Sequence, residues 1–289
     1  MDLSAISKEI KTAEEELKPE KEWQAKKLKL EKYSGDDRMR PFEDVLKEIG
    51  TDSSAGYFTR IPKLDSTLGG FRDKQLVVIS GATGHGKTSF MQFLLSEFAQ
   101  DSACAFFSYE IGYREFADKF NGNVPKFHVP NKKKNGKLEW LFERMEESIA
   151  KYDTKVFFID HLHFLLDMKM LEMVRSTSLA IGNVMRELKG FAFNNDVVIF
   201  LAAHIKQRET EEAPTVDDLR DSSFIAQESD IVLLIWRERK KDRQSESGYI
   251  ETGKTIIHVG KNRRTGQLGT VATMFDKGRY LEYDSYHTP

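Results

Sequence analysis

Eight consecutive residues, Gly81-Ala82-Thr83-Gly84-His85-Gly86-Lys87-Thr88, constrain this chain more than any other segment. They match G-x-x-x-x-G-K-[ST] without a mismatch, and the context fits. An apolar, β-branched run over 75–80 precedes them, and a helical pattern over 88–98 with Phe90, Phe93 and Leu94 follows. Glycines let successive backbone N–H groups turn toward an anion, and the start of the helix adds positive potential. The pattern therefore predicts a loop that cradles the phosphates of ATP. Lys87 is expected to reach the β- and γ-phosphates and the Thr88 hydroxyl to ligate Mg²⁺, with Gly81 through Ser89 as contacts, Ala82, Thr83, Gly84, His85 and Gly86 among them. A chance Gly-rich turn is disfavoured because motif and context agree.

Strand-like and helix-like segments alternate around this loop. Short apolar runs at 103–109, 156–160, 197–203, 231–236 and 256–259 suit strands buried on both faces, and 179–193 reads as a helix between two of them. Residues 270–275 and 280–283, joined through Lys277-Gly278, read as a closing hairpin. The expected fold is α/β: a mostly parallel twisted sheet covered by helices, with a C-terminal β-hairpin and an N-terminal helical extension. Residues 1–56 are expected to form a helical arm and linker, and 57–289 the main domain. Leu3, Ile6, Ile10, Ala13 and Leu17 make one narrow apolar seam before Pro19. The seam suits a helix packed on its own domain and an arm docked on a neighbouring subunit about equally. A second short helix carries Phe42, Val45, Leu46 and Ile49 on one face after Pro41, with Gly50 placed to end it. Residues 131–137 form a polar, Lys-rich loop, and Met168, Met170 and Met173 read as packing residues.

Two carboxylates stand out. Asp160 ends the run Val156-Phe157-Phe158-Ile159, and the C-terminal tip of a buried strand faces the crevice where ligands bind in open α/β sheets. It is the expected second support for Mg²⁺. Glu110 follows the strand at 103–109 and is the candidate to polarise an attacking water. It lies beside the γ-phosphate if its strand neighbours the one leading into the phosphate loop. The bland alternative is a Glu that complements a helix dipole.

The totals narrow the class. The net charge is −2 over 289 residues, so no global basic field announces a nucleic-acid partner, and such a site must be a local patch or one multiplied by several subunits. The single Cys, Cys104, excludes an internal disulfide and fits a reducing compartment. The charged N-terminus lacks the apolar core of a signal peptide, and no apolar run approaches about 20 residues, so no membrane span is expected.

Several segments resemble the RecA-like motor domain of hexameric replicative helicases of the DnaB type. These are Gly69-Gly70-Phe71, Ser108-Tyr109-Glu110, Ile159-Asp160-His161-Leu162, the segment from Leu219 to Asp230, and Lys261-Asn262-Arg263-Arg264-Thr265-Gly266. They run in order from about Ile61 to Tyr283, roughly three-quarters of the chain. The Leu219 and Lys261 segments are the most specific, because neither belongs to phosphate-loop proteins in general. The resemblance implies an ATP-dependent helicase motor on single-stranded DNA in replication, with ATP sites between the subunits of a homo-hexameric ring. It implies Glu110 as catalytic base, Lys261 and Arg263 as a pair reaching into the next subunit's ATP site, and His204 as a sensor of the γ-phosphate. It places DNA contacts at Arg220, Asp221 and Ser223, with Lys206 and Arg208 as secondary candidates. Ser223 departs from the family's usual Gly. It also implies a cytoplasmic setting in a bacterial or phage-infected cell, with a mitochondrial one left open, and primase or other replisome proteins as partners. Only about 50 residues precede the motor, where the family has a helical domain. A RecA-like recombinase and a helicase-derived ATP-binding module that unwinds nothing stay open as alternatives.

Overall fold

A computed structural model describes residues 19–35, 38–49, 56–120, 122–134, 137–166, 176–204, 214–219, 222–241 and 249–283. The chain divides into two compact units, Met1–Ser53 and Ser54–Pro289. In the first, residues 19–31 are helical and α1 spans Phe42–Ile49. Trp23, Leu28, Phe42 and Leu46 are exposed, so the described part of this unit has no apolar core of its own. The seam from Leu3 to Leu17 and Gly50 lie outside the described residues.

The second unit is built on one eight-stranded sheet. Its strands are β1 (Leu76–Gly81), β2 (Cys104–Ser108), β3 (Val156–Asp160), β4 (Val198–His204), β5 (Ile231–Lys241), β6 (Tyr249–Asn262), β7 (Gly269–Asp276) and β8 (Arg279–Glu282). They lie in the order β2-β3-β4-β1-β5-β6-β7-β8. The first five pair in parallel, and β6, β7 and β8 add on as an antiparallel meander. The helices are α2 (Pro62–Leu68), α3 (Lys87–Phe98), α4 (Tyr113–Asp118), α5 (Leu138–Tyr152), α6 (Thr177–Asn194) and α7 (Ser222–Glu228).

Every residue of β1, β2 and β3 is buried, because helices cover both faces of the sheet. The two-residue repeat of a strand still sorts these side chains between two cores. Val77, Ile79, Phe106, Phe158 and Phe200 pack with Phe90, Leu94 and Phe98 of α3 and with Leu64 and Leu68 of α2. Leu76, Val78, Phe107, Phe157 and Ile159 pack with Leu141 and Met145 of α5 and with Val184, Met185 and Leu188 of α6. Phe200 is the hub of the first core: its ring centre lies 4.9 Å from Phe71, 5.0 Å from Phe158 and 5.6 Å from Phe98. Local signals fix the helix ends. Pro62 opens α2 and Gly69, at φ 69°, closes it, while the Ser176 side chain accepts from Leu179 N–H at the start of α6.

The order corrects one expectation. The strand leading to Glu110 does not neighbour β1; β3 and β4 stand between them, and β2 is at the sheet edge. The closing hairpin is β7–β8, and it packs back on α3 through Tyr280, which meets Phe90 at 5.2 Å and Phe93 at 5.4 Å.

Candidate functional site

β1 delivers the chain into the phosphate loop at Gly81, and α3 leaves it at Lys87. Two glycines are sterically required here. A Cβ on Gly81 would stand 2.4 Å from the Ile235 carbonyl oxygen of β5, and Gly86 turns the chain into α3 at φ 92°. Lys87 is nearly buried and folds back over the loop, donating to Gly81 O at 3.0 Å and Ala82 O at 3.1 Å. Burial lowers its pKa, and the charges of Asp160 and Glu110 oppose that shift.

The Thr88 hydroxyl donates to Asp160 Oδ2 at 2.7 Å. Asp160 is 1% exposed, and its second oxygen, Oδ1, is buried with no hydrogen-bond partner. Burial raises the pKa of this carboxyl; the Thr88 bond works against the rise, Glu110 adds to it, and Lys87 and Lys119 counter it. An orphaned carboxylate oxygen beside a hydroxyl at the mouth of a phosphate loop fits a divalent cation and its water shell. Among the described residues no three His, Cys, Asp or Glu side chains are placed to hold a metal by themselves. The arrangement thus fits Mg²⁺ arriving with a phosphate ligand, held by one carboxylate and one hydroxyl.

Glu110 comes to this site by another route than β1. Ser108 of β2 is level with Asp160 of β3, and Tyr109 N–H donates to Asp160 O at 2.8 Å. The next residue, exposed Glu110, therefore emerges beside Asp160 and acts on the ionisation of both Asp160 and Lys87.

His204 ends β4 level with Gly81. Its Nε2 lies 3.2 Å from His161 Nε2. His161 Nδ1 accepts from His163 N–H at 3.3 Å, so the ring hydrogen of neutral His161 belongs on Nε2 and His204 Nε2 accepts it. Burial, followed by the nearby His204, His163 and Lys87, pulls the His161 pKa down to about 3.

Lys261 and Arg263 lie elsewhere. Lys261 Nζ donates to the carbonyls of Ala226, Gln227 (3.2 Å) and Ser229 (2.6 Å), where α7 ends. Arg263 donates to Gln227 O at 2.7 Å and approaches Asp230 Oδ1 at 3.5 Å. Cations at the last carbonyls of a helix are electrostatically favoured. Asp230 N–H donates to Leu76 O, and Arg263 N–H to Asp230 O, so this cluster sits at the first residue of β1. The phosphate loop begins at the other end of that strand, about 17 Å away at ~3.3 Å per residue. Ser223 is an exposed residue of α7; Arg220, Asp221, Lys206 and Arg208 lie outside the described residues.

Sequence reasoning missed a second wall of the loop. Arg237 N–H of β5 donates to His85 Nδ1 at 3.0 Å, and the Arg237 guanidinium lies 5.9 Å from the Phe275 ring centre. A Cβ on Gly86 would meet Tyr280 Oη at 3.2 Å and Arg237 Nε at 3.3 Å. No local motif marks Arg237, Phe275 or Tyr280; only the pairing of β5 with β1 and the return of the β7–β8 hairpin bring them there.

The parallel sheet, the glycine-bound loop at the tip of β1 and Asp160 two strands away define a RecA-like P-loop nucleotide-binding fold. A family model described as the DnaB-like helicase C terminal domain matches residues 56–151 and 126–284, and the chain belongs to that family. Curated relatives include a probable replicative DNA helicase of Trieres chinensis, 26% identical over 85% of this chain and 61% of that protein. Replicative DNA helicase DnaC of Bacillus subtilis is 24% identical over 80% and 56%, and replicative DNA helicase DnaB of Helicobacter pylori 25% identical over 78% and 59%. The chain thus spans somewhat under two-thirds of the length of these relatives. Among solved structures, one described as an ATPase domain aligns with a TM-score of 0.68 at 21% identity, covering 84% of this chain and 97% of that one. A DnaB-like replicative helicase, described with its interactions with primase, aligns with the same TM-score and identity over 97% of this chain and 76% of that one. Among the described residues, no helix is long and apolar enough to cross a membrane.

Proposed function

We propose that this chain is an ATP-driven motor that moves along single-stranded DNA during replication, working in a homo-oligomeric ring with ATP held between subunits. Family membership supports the motor class. The observation that carries the subunit arrangement is the placement of Lys261 and Arg263 at the opposite end of β1 from their own phosphate loop. A cationic pair that far from its own loop fits service to the loop of a neighbour, where a fixed guanidinium stabilises charge on the γ-phosphate.

Within one site, Lys87 exchanges the Gly81 and Ala82 carbonyls for the β- and γ-phosphates. Thr88 and Asp160 hold Mg²⁺, which when bound shields phosphate charge. Glu110 orients and deprotonates the attacking water. His204, fixed in one tautomer by His161, reads the γ-phosphate at the tip of β4, the strand that leads into the segment carrying Lys206 and Arg208. Those two residues with Arg220, Asp221 and Ser223 contact the DNA backbone, and a ring brings their small patches together around one axis, a local field that a net charge of −2 per subunit does not preclude. Residues 1–56 act as the arm between neighbours.

A forked duplex tests the reading. Strand separation requiring ATP and Mg²⁺, and lost in Lys87→Ala, is the expected result. Binding of ATP and DNA with no strand separation at any protein concentration would leave only an ATP-gated assembly module.

A further inference from the structure

The Lys-rich loop takes no part in the site described so far, yet the structure ties its middle to the turn that carries Glu110. After β2 the chain passes through Glu110 and Ile111 before entering α4. The Ile111 carbonyl accepts from Ser108 Oγ at 3.0 Å and from Lys133 Nζ at 2.6 Å. The same ammonium lies 4.7 Å from the centre of the Tyr113 ring, and the Tyr113 hydroxyl donates to Pro130 O at 2.5 Å. The loop is itself anchored on the sheet. His128 bridges the free edge of β2, donating its N–H to Cys104 O and accepting from Phe106 N–H, both at 2.9 Å. Of three consecutive lysines, Lys132 and Lys134 are exposed and only Lys133 turns inward. Burial lowers the Lys133 pKa, as expected for an ammonium drawn out of water by a directed bond and an aromatic face.

We infer that Lys133, braced by Tyr113, is a positioning residue for Glu110: its ammonium clamps the Ile111 carbonyl and so fixes where the Glu110 carboxylate stands. The inference rests on the reading of Glu110 as the catalytic base. Glu110 is exposed at the tip of a short turn on the edge strand, so few contacts of its own restrain it. Displacing a catalytic group by about 1 Å can cost on the order of a hundredfold in rate, so a clamp on the next residue's carbonyl is worth a measurable factor.

The test uses the full chain with ATP, Mg²⁺ and single-stranded DNA. Lys133→Met keeps the aliphatic stem and removes the donor. It is expected to lower kcat about tenfold or more while KM for ATP stays within about twofold, because ATP is held elsewhere. Lys133→Arg, which can still donate to Ile111 O, is expected to recover most of the rate. Lys132→Met, which removes the same charge from the same loop without the clamp, is expected to stay within about twofold of wild type. In a Glu110→Gln background, Lys133→Met should cost nothing further, since residues acting through one group are not additive. Amide exchange at 110–113 should quicken in Lys133→Met while the sheet stays protected. Unchanged kcat, an equal loss in Lys132→Met, or a full second loss on top of Glu110→Gln would each overturn the clamp. Normal turnover by Glu110→Gln would instead overturn the base reading. An inactive Glu110→Gln together with a fully active, normally protected Lys133→Met would overturn the clamp alone.

Discussion

The buried face of the phosphate site makes a prediction opposite in sign to the usual effect of a core substitution. Asp160 is 1% exposed, accepts from Thr88 through Oδ2, and leaves Oδ1 without a partner. A buried polar group left unsatisfied costs about 1–3 kcal/mol. Asparagine has nearly the same shape and keeps an oxygen for the Thr88 hydroxyl; its amide donors inherit the place of Oδ1, but the buried charge, which costs more to desolvate than a neutral group, is gone. Lys87 and Lys119 favour the charge, but burial outweighs them, because the net displacement of the Asp160 pKa is upward. In the absence of nucleotide, Asp160→Asn is therefore expected to be as stable as wild type or more so, by up to about 1–2 kcal/mol. For a domain of this size that raises Tm by roughly 2–6 °C. The same change removes the anion that would hold Mg²⁺, so the gain on adding Mg-ATP, about 2.7 kcal/mol at a hundredfold excess over Kd for wild type, should fall sharply. Thermal unfolding with and without Mg-ATP reads both effects. A lower Tm for the nucleotide-free variant with an undiminished Mg-ATP shift would instead make Asp160 a structural acid with no part in holding Mg²⁺.

Two further outcomes follow from the geometry. Phe200→Ala empties the centre of the ring cluster formed with Phe71, Phe98 and Phe158 and should cost about 3–5 kcal/mol, a fall in Tm of roughly 10 °C or more; a fall under about 3 °C would mean that the cluster repacks freely. Mixing Arg263→Ala subunits with Lys87→Ala subunits, each inactive alone, should restore part of the ATP turnover at mixed interfaces, and no recovery at any ratio would count against action in trans.

The parts of this molecule legible in the sequence are those fixed by local chemistry. The phosphate loop announces itself because glycine, lysine and threonine are each needed at a set spacing between a strand and a helix. Asp160 is legible as the last residue of an apolar run. What local pattern does not encode is which strands lie side by side. Glu110 reaches the site beside Asp160 because β2 pairs with β3, an arrangement that the length of the intervening segment does not dictate. Arg237, Phe275 and Tyr280 reach the loop through pairings between residues far apart in the chain. Lys133 looks like its neighbours Lys132 and Lys134 in sequence, and tertiary contacts, the pairing of His128 with β2 and the Tyr113 contacts with Pro130 and with Lys133 itself, set it apart. The resemblance to DnaB-type motors supplied roles for Lys261 and Arg263, but not their capping of α7, which depends on β6 returning beside β5.

The rate of phosphate release from ATP by the full chain, measured as single-stranded DNA is added, bears most directly on a motor whose ATP sites answer to DNA. A DNA-driven motor of this kind is expected to turn over several-fold faster as DNA saturates it, and to lose the rise in Lys87→Ala. A rate that stays flat across the titration, with ATP demonstrably bound, would contradict it.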